Sequence, residues 1–599
     1  MRVHKLRPGL VLWTLVAVSS VGPARAGGTF GPGGPHALQP SQRGFLSRVA
    51  RRTVRDIVLQ RGLYEPTYIP RSLEVGAVEV VVRLRRRGFL LTHAAAGPAP
   101  IVVATRDAAA ACARELTRDA TVDLDLVNAL TIEIEVIGEA AAVPFQGDWM
   151  RRGALRSFVE PGVDGVLLEG PRLRRRFCPS ELFTTDHTVT QALTAMARAA
   201  HLSPEERAKI KLWRFRTTHW VSPGAGQPPV ALRRGLTLVP PEAVSPKGLD
   251  KAIERVGAYL RYRQLPSGLF TYQYEPARDL YTNDDSAVHQ VGATAAMSFL
   301  AAHDGLAASR AAADRAIAVH LGRLADVPKM KDAAFVATAD GTNPLGVTAL
   351  ACLALSYHPD PDRYADTRRR LIDGMLWLQR DSGMFLTAFP PALDVGAQDY
   401  FPGEALLALA AHYDSAPSAR ILDAFDRAVS FYRDYFRGAP SPALVSWQVQ
   451  AFALMAHQTK RKDYRDFVFE LADWLAERQL NEGNCPWEEL RGGVAVRGGG
   501  RANFATAAYL EAFADALTLA VRFGDEARQK RYRRVVRGAA RFVMQLQVRP
   551  EETYFMRSPA DAVGGIRTGP ALNLLRIDHC QHGVISLIKA RRALFPEQD

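Results

Sequence analysis

Two patterns of apolar spacing divide this chain. From Leu249 to Leu594, amphipathic helices alternate with helices packed with small residues. Ala311–Arg323, Asp362–Arg380 and Arg528–Gln547 carry Arg, Asp and Glu on one side, as a helix with one face in water does. Between such segments lie runs rich in Ala and Gly: Val291–Ala296, Leu345–Leu350 and Gly403–Leu409. Small side chains allow neighbouring helices to approach closely. The unit is an outer helix, a loop of aromatic and polar residues, then an inner helix, and about twelve helices are predicted in all. Loops that feed the inner helices then converge on one face.

The repeat is also visible in its punctuation. Outer helices end in Tyr259–Gln264, Leu376–Gln379, Trp474–Gln479 and Phe542–Gln547. Ser267-Gly268-Leu269-Phe270 and Ser382-Gly383-Met384-Phe385 follow two of them, and the glycines read as helix C-terminal stops. This pattern resembles the six-hairpin (α/α) toroid superfamily over its last stretch, from Leu249 onward. That superfamily includes glycoside hydrolases, polysaccharide lyases, sugar epimerases, terpene cyclases and lanthionine cyclases. The resemblance implies an (α/α)6 toroid over 247–597, and one fold hosts many chemistries.

The N-terminal half reads differently. Ser41–Arg61 has helical spacing, with Phe45, Val49, Val54, Ile57 and Val58 on one side. Val78–Thr92, Ile101–Thr105, Leu130–Ile137 and Val163–Leu168 read as strands, and Asp107–Arg118 and Thr188–His201 as helices. The fold class is therefore multidomain: an α+β domain at 45–222, then an all-α toroid. The segment from Leu130 to Ile137, through Gly162–Leu168 and Phe177-Cys178-Pro179-Ser180-Glu181, to Ala199–Leu202 and Ile210–Phe215 resembles the AMMECR-type domain. That family carries an Arg-Gly-Cys-Ile-Gly motif. The comparable place here is Arg86-Arg87-Gly88-Phe89-Leu90-Leu91, without the Cys, so the resemblance implies fold more than activity. Pro223–Pro246 reads as the linker between the domains.

Composition adds an address. Arg2, Lys5 and Arg7, the apolar run Leu10–Val21 and Ala24-Arg25-Ala26 together read as a signal peptide over 1–26. A Gly/Pro-rich tether follows over 27–44. The expected location is therefore periplasmic or extracellular, with no transmembrane segment after signal removal. The formal charge of +14 suits a glycan or another anionic polymer as partner rather than nucleic acid, which is scarce outside the cytoplasm. The five cysteines, 112, 178, 352, 485 and 580, are scattered, odd in number and without CxxC spacing, which excludes a disulfide framework or a zinc ribbon and leaves room for one or two bridges in an oxidising compartment.

Four loops carry candidate chemistry. Tyr272 and Tyr274 precede Asn283-Asp284-Asp285-Ser286 and His289, where the acids serve either catalysis or helix capping. Asp399 and Tyr400 precede Pro402-Gly403-Glu404, and Glu404 reads as an acid that complements the helix dipole. Trp487 lies in a Gly-rich loop (Gly492-Gly493, Gly498-Gly499-Gly500) suited to a lid, and Glu511 on the next helix reads as a general acid with a raised pKa. Arg576-Ile577-Asp578-His579-Cys580-Gln581-His582 is the densest polar cluster, with Arg567 nearby as a second clamp for a carboxylate. The predicted catalytic set is Asp285, Asp399, Asp578 and His582. Tyr272, Tyr274, Tyr400 and Trp487 would stack on sugar rings, and Arg576 would meet a substrate carboxylate. No cofactor is required; zinc at Cys485, His579, Cys580 and His582, or another divalent ion, is the remaining option. The reading is a carbohydrate-active enzyme performing hydrolysis, lysis or epimerisation. The alternative is a non-catalytic glycan- or protein-binding scaffold.

Overall fold

The computed structural model describes residues 38–596, except 75, 119–121, 146–148, 152, 171–172 and 496–500. The expected signal peptide, most of the tether and Gly498-Gly499-Gly500 lie outside the described residues. No described helix is long and apolar enough to cross a membrane. The chain divides into two compact units. One comprises 1–84, 91–182 and 187–229; the other comprises 85–90, 183–186 and 230–599.

The first unit follows the order α1 (Pro40–Val58), β1 (Val78–Arg86), β2 (Phe89–Ala99), α2 (Ile101–Arg118), α3 (Leu124–Ala129), β3 (Thr131–Ala142), β4 (Asp164–Glu169), β5 (Arg174–Phe177), α4 (Pro179–Thr184), α5 (Val189–Ala199), α6 (Pro204–Ala208) and β6 (Lys211–Ser222). Six strands run in the sheet order β2-β1-β3-β6-β4-β5. The stretch Ile101–Thr105, expected as a strand, is the first turns of α2. Ile101 and Val102 are buried in the apolar core with Leu46, Val54 and Ile134, so tertiary burial overrides local propensity. Val78–Thr92 is two strands, not one, because Arg87 and Gly88 both take positive φ and form the turn of a hairpin. The place compared with the family's Cys motif is therefore a hairpin turn.

The second unit opens with β7 (Val230–Leu232). Part of the expected linker is an ordered strap here. Val239 N–H donates to Gln545 Oε1 at 2.8 Å, and Gln545 Nε2 donates to the Thr237 carbonyl at 2.7 Å. Outer helices α7 (Pro246–Arg263), α9 (Ala307–Leu321), α11 (Ala365–Trp377), α13 (Ala419–Gly438), α15 (Lys462–Ala476) and α17 (Glu526–Leu546) alternate with inner helices. The inner set is α8 (Ala287–Asp304), α10 (Leu345–Tyr357), α12 (Phe401–Ser415), α14 (Pro442–Thr459), α16 (Ala505–Arg522) and α18 (Ile577–Leu594). Each inner helix packs on the next, and α18 packs on α8, so the ring closes. Alternation makes the inner helices parallel, with their N-termini at one mouth. The small residues do what their pattern implied: a Cβ on Gly292 of α8 would lie 2.0 Å from Gln581 Oε1 of α18.

Short strands fill the loops at that mouth: β8 (Gln273–Glu275), β9 (Leu280–Tyr281), β10 (Leu324–Val327), β11 (Met330–Val336), β12 (Arg567–Gly569) and β13 (Leu572–Arg576). One sheet, β12-β13-β8-β9, joins the last hairpin to the first.

The glutamines that end the outer helices are clasps. Gln264, Gln379, Gln479 and Gln547 each bridge to the strand-like residue that follows, Phe270, Phe385, Val494 and Ile566. Their side-chain amides donate to carbonyls of a neighbouring outer helix: Ala312, Ala424, Val535 and Ala252, at 2.8–2.9 Å. Gly268 and Gly383 are accordingly not helix stops. Like Gly492 and Gly564, they sit in the clasp's turn near φ +90, with the neighbouring helix against them. The last clasp joins chain end to chain start. A Cβ on Gly564 would lie 2.2 Å from the Arg255 carbonyl oxygen, a backbone atom that cannot swing away.

All five cysteines are buried and unpaired, so no disulfide staples the fold. The clasps therefore carry stability directly. Gln547→Ala leaves a buried turn short of donors and is expected to cost about 1–3 kcal/mol. Gly564→Ala adds backbone strain and collision and is expected to cost more. Thermal and urea unfolding of both variants check this ordering.

Candidate active site

The polar cluster at the mouth is assembled by backbone pairing across the ring seam. β13 pairs with β8 so that Arg576 faces Gln273, and Ile577 N–H donates to the Tyr272 carbonyl at 3.1 Å. This register places the first turns of α18 beside Tyr272 and the first turn of α8. Arg576 grips Asp578 with two hydrogen bonds, Nε to Oδ1 at 2.9 Å and Nη2 to Oδ2 at 2.5 Å. Its guanidinium lies over the rings of Tyr272 and Phe504, at 5.9 and 5.7 Å. Asp578 Oδ2 stands 3.9 Å from His289 Nε2. His289 Nδ1 meets the Tyr272 hydroxyl at 3.0 Å, and the two rings stack within 6° of parallel.

One helical turn beyond Asp578 lies His582, on the same face of α18. Its Nδ1 meets Glu511 Oε1 of α16 at 2.8 Å, and its ring is 5.6 Å from that of Trp447 on α14. α14 and α18 are not neighbours in the ring, so Trp447 and His582 meet across the lumen. Glu404, in the first turn of α12, also feels the charge of His582. Glu404, Trp447, Glu511 and His582 thus face one lumen from four different helices.

The environment separates the titrating groups. Burial lowers the pKa of His289, and the cations Arg576 and His582 reinforce that against Asp578. Burial also opposes charge on His582, but Glu511, joined by Asp578 and Glu404, raises the pKa. Burial pushes Glu404 up to about 8. For Asp578, burial works upward, while His579, Arg576 and His289 together hold it well below the usual carboxylate range. Arg576 is the partner that matters at neutral pH, because burial holds His579 down to about 4.

The sequence-predicted residues separate into two groups. Tyr272, Arg576, Asp578 and His582 meet, with Glu511 and His289 beside them. Tyr400 stays half-exposed near Glu404, whose charge it feels. The others are elsewhere. Tyr274 is buried, its hydroxyl donating to Asp279, so it cannot stack on a sugar. Asp285 accepts from Ser286 N–H and Gln290 Nε2 and steadies the start of α8. Asp399 turns to the Tyr435 hydroxyl on outer helix α13. Trp487 lies beneath the Arg234 guanidinium, whose Nε donates to Glu489. Arg567 is wholly buried and ion-paired with Glu552 at 2.9 Å, so it clamps the fold rather than a substrate.

His579 and His582 do not share a face. His579 turns to the Ile566 carbonyl and stacks on Phe504. Cys580 accepts from Ile566 N–H, and Cys485 lies against the Trp487 carbonyl. The residues offered for zinc thus point apart. No group of three or more His, Cys, Asp or Glu among the described residues is arranged to hold a metal ion.

Two residues of the lumen escaped the sequence pattern. Glu404 reads as a dipole-complementing acid at a Pro-Gly helix start, yet it is buried. Trp447 sits inside α14 and not in a candidate loop. Its one signal was a large ring between Ser446 and Gln448 on an inner helix.

The AMMECR1 family profile matches residues 85–220, and the chain carries an AMMECR1 domain there. An uncharacterised protein of Pyrococcus horikoshii is 22% identical over 32% of this chain and 95% of its own, with a TM-score of 0.28. The helical region resembles (α/α)6 toroid enzymes. A sugar epimerase from a ruminal bacterium is 10% identical over 57% of this chain and 98% of its own, with a TM-score of 0.42. The unsaturated glucuronyl hydrolase of Bacillus sp. GL1 is 15% identical over 58% and 97%, also at 0.42. No curated protein sequence matches the chain.

The Asp578–Arg576 pair has a pH signature. A depressed carboxylate contributes stability that is complete above its unfolded value of 3.8 and is lost as pH falls through its folded value. Asp578→Asn leaves Arg576 half-buried without its carboxylate, at an expected cost of about 3 kcal/mol at pH 7. The gap in melting temperature between wild type and variant is expected to narrow as pH drops below 3.8. Scanning calorimetry from pH 7 downward checks it.

Proposed function

We propose that the helical ring is a carbohydrate-active enzyme that moves a proton on and off a sugar carbon, the chemistry of epimerisation or isomerisation. Residues 1–26 support action outside the cytoplasm. The observation that carries the reading is a pair of imidazoles at one lumen whose proton affinities are pushed apart, His289 down and His582 up. Groups separated in this way can act as base and acid at the same pH.

Hydrolysis is less well served, because it needs two carboxylates disposed across the scissile bond. Both oxygens of Asp578 are taken by Arg576, and Glu511 is paired with His582. Asp285 and Asp399 are engaged at the helix start and at Tyr435.

The roles follow from the hydrogen bonds. When His289 Nδ1–H donates to the Tyr272 oxygen, Nε2 is open to take a proton from the carbon beside a sugar carbonyl. The imidazolium so formed is stabilised by Asp578, 3.9 Å away. His582, oriented by Glu511 at Nδ1, delivers a proton from Nε2 to the other side of the carbanion or to its oxygen. Arg576 fixes Asp578 instead of binding a substrate carboxylate.

Incubation with aldoses and ketoses in D2O, followed by NMR, tests this. Deuterium is expected at the carbon next to the carbonyl, with an isomerised product. His289→Asn and His582→Asn are expected to lower kcat about 10²–10⁴-fold each. The rate should rise as His289 loses its proton below the usual imidazole range, and fall as His582 loses its proton above it. Reducing ends released from a polysaccharide without carbon-bound exchange would show hydrolysis instead. Sugar binding with neither outcome would leave a binding module.

A further inference from the structure

Glu404 is a lumen acid with no role in that proton transfer. The residue is 4% exposed, and its Oε2 has no hydrogen-bond partner among the described residues. The carboxyl lies against the first turn of α10, where Gly346 leaves room for it: a Cβ there would stand 2.3 Å from Oε2. An unmet buried oxygen costs about 1–3 kcal/mol unless something pairs with it. Nothing on α10 or α12 does so. The ring holds an acid at the lumen wall, across from His582 and one turn inside half-exposed Tyr400, with its Oε2 unmet by any described residue.

We propose that Glu404 binds a hydroxyl pair of the substrate and selects an uncharged sugar over a sugar acid. The inference rests on the reading of this lumen as a sugar-processing site, and it names the substrate class. A buried carboxyl in the neutral form donates from one oxygen and accepts at the other, the complement of two adjacent hydroxyls. Burial favours that neutral form near pH 7. A substrate carboxylate placed against the same wall would bring a second acid into a dry site, where the cation facing Glu404, His582, is already paired with Glu511. Arg576 is already held by Asp578 through both carboxylate oxygens, and Lys589 by Asp515 and Gln450.

Calorimetric titration of the full chain with D-glucose, D-mannose and D-glucuronate tests the proposal. Glucose or mannose is expected to bind at least about tenfold more tightly than glucuronate. Glu404→Leu is expected to weaken the neutral sugar about tenfold or more, while Glu404→Gln, which still donates and accepts, stays within about threefold. Unchanged melting curves for both variants establish that the fold is intact; if Glu404→Leu does not fold, the Glu404→Gln titration and the glucose–glucuronate comparison decide. Glucuronate bound as tightly as glucose, Glu404→Leu binding like wild type, or no binding of either class overturns the proposal. Tight neutral-sugar binding without carbon-bound exchange defeats the proton-transfer reading and leaves this one standing. Exchange on glucuronate as fast as on glucose does the reverse.

Discussion

The ring depends on a side-chain amide. At four outer-helix ends a glutamine donates to a carbonyl of a neighbouring outer helix, and a glycine in the same turn lets that helix come close. Three of these clasps join hairpins along the chain. The fourth, from Gln547 to Ala252, joins the last hairpin to the first. A solenoid of helix pairs has two open ends, each with an apolar face to cover. Closing it removes both ends, and the price is a set of backbone approaches that only glycine tolerates.

Closure also makes the site. The seam is where β13 pairs with β8, and that pairing sets the first turns of α18 beside Tyr272 and His289. Residues more than 280 positions apart in sequence, His289 and Asp578, come within 3.9 Å for this reason alone. Inside the lumen, low polarity and fixed partners divide the protons. One histidine has its pKa lowered by burial, another has it raised beside a buried glutamate, and a third, His579, is withdrawn into packing. The ring's interior therefore offers groups of opposite proton affinity at one place, which open water would not.

Much of this was legible from residue spacing. The alternation of outer and inner helices, the small residues of the inner wall and the seam between Arg576–His582 and Asn283–His289 all follow from periodicity and from where polar residues cluster. The misreadings share a cause. Tyr274, Asp285, Asp399 and Trp487 lie in loops with the right composition, but their partners, Asp279, Gln290, Tyr435 and Arg234, are set by how each loop folds back. Gly268 looked like a helix stop because its contact, the carbonyl of Arg315, belongs to another helix. Ile101–Thr105 reads as a strand by β-branched content, and burial in the core makes it helical.

The sequence by itself determined the architecture, since a period of hydrophobic positions is a local property that each helix carries within its own residues. It determined too that the polar chemistry collects at the starts of inner helices. Only the tertiary structure decided which of those polar groups face the lumen, because one turn of helix separates a residue in the lumen from one in a packed interface. His579 and His582 differ in just that way. Glu404 shows the other limit: its character comes from burial against Gly346, which outweighs the opposing charge of His582 across the ring. Neither neighbour is near it in sequence, and without the closed ring it would be an ordinary acid at a helix start.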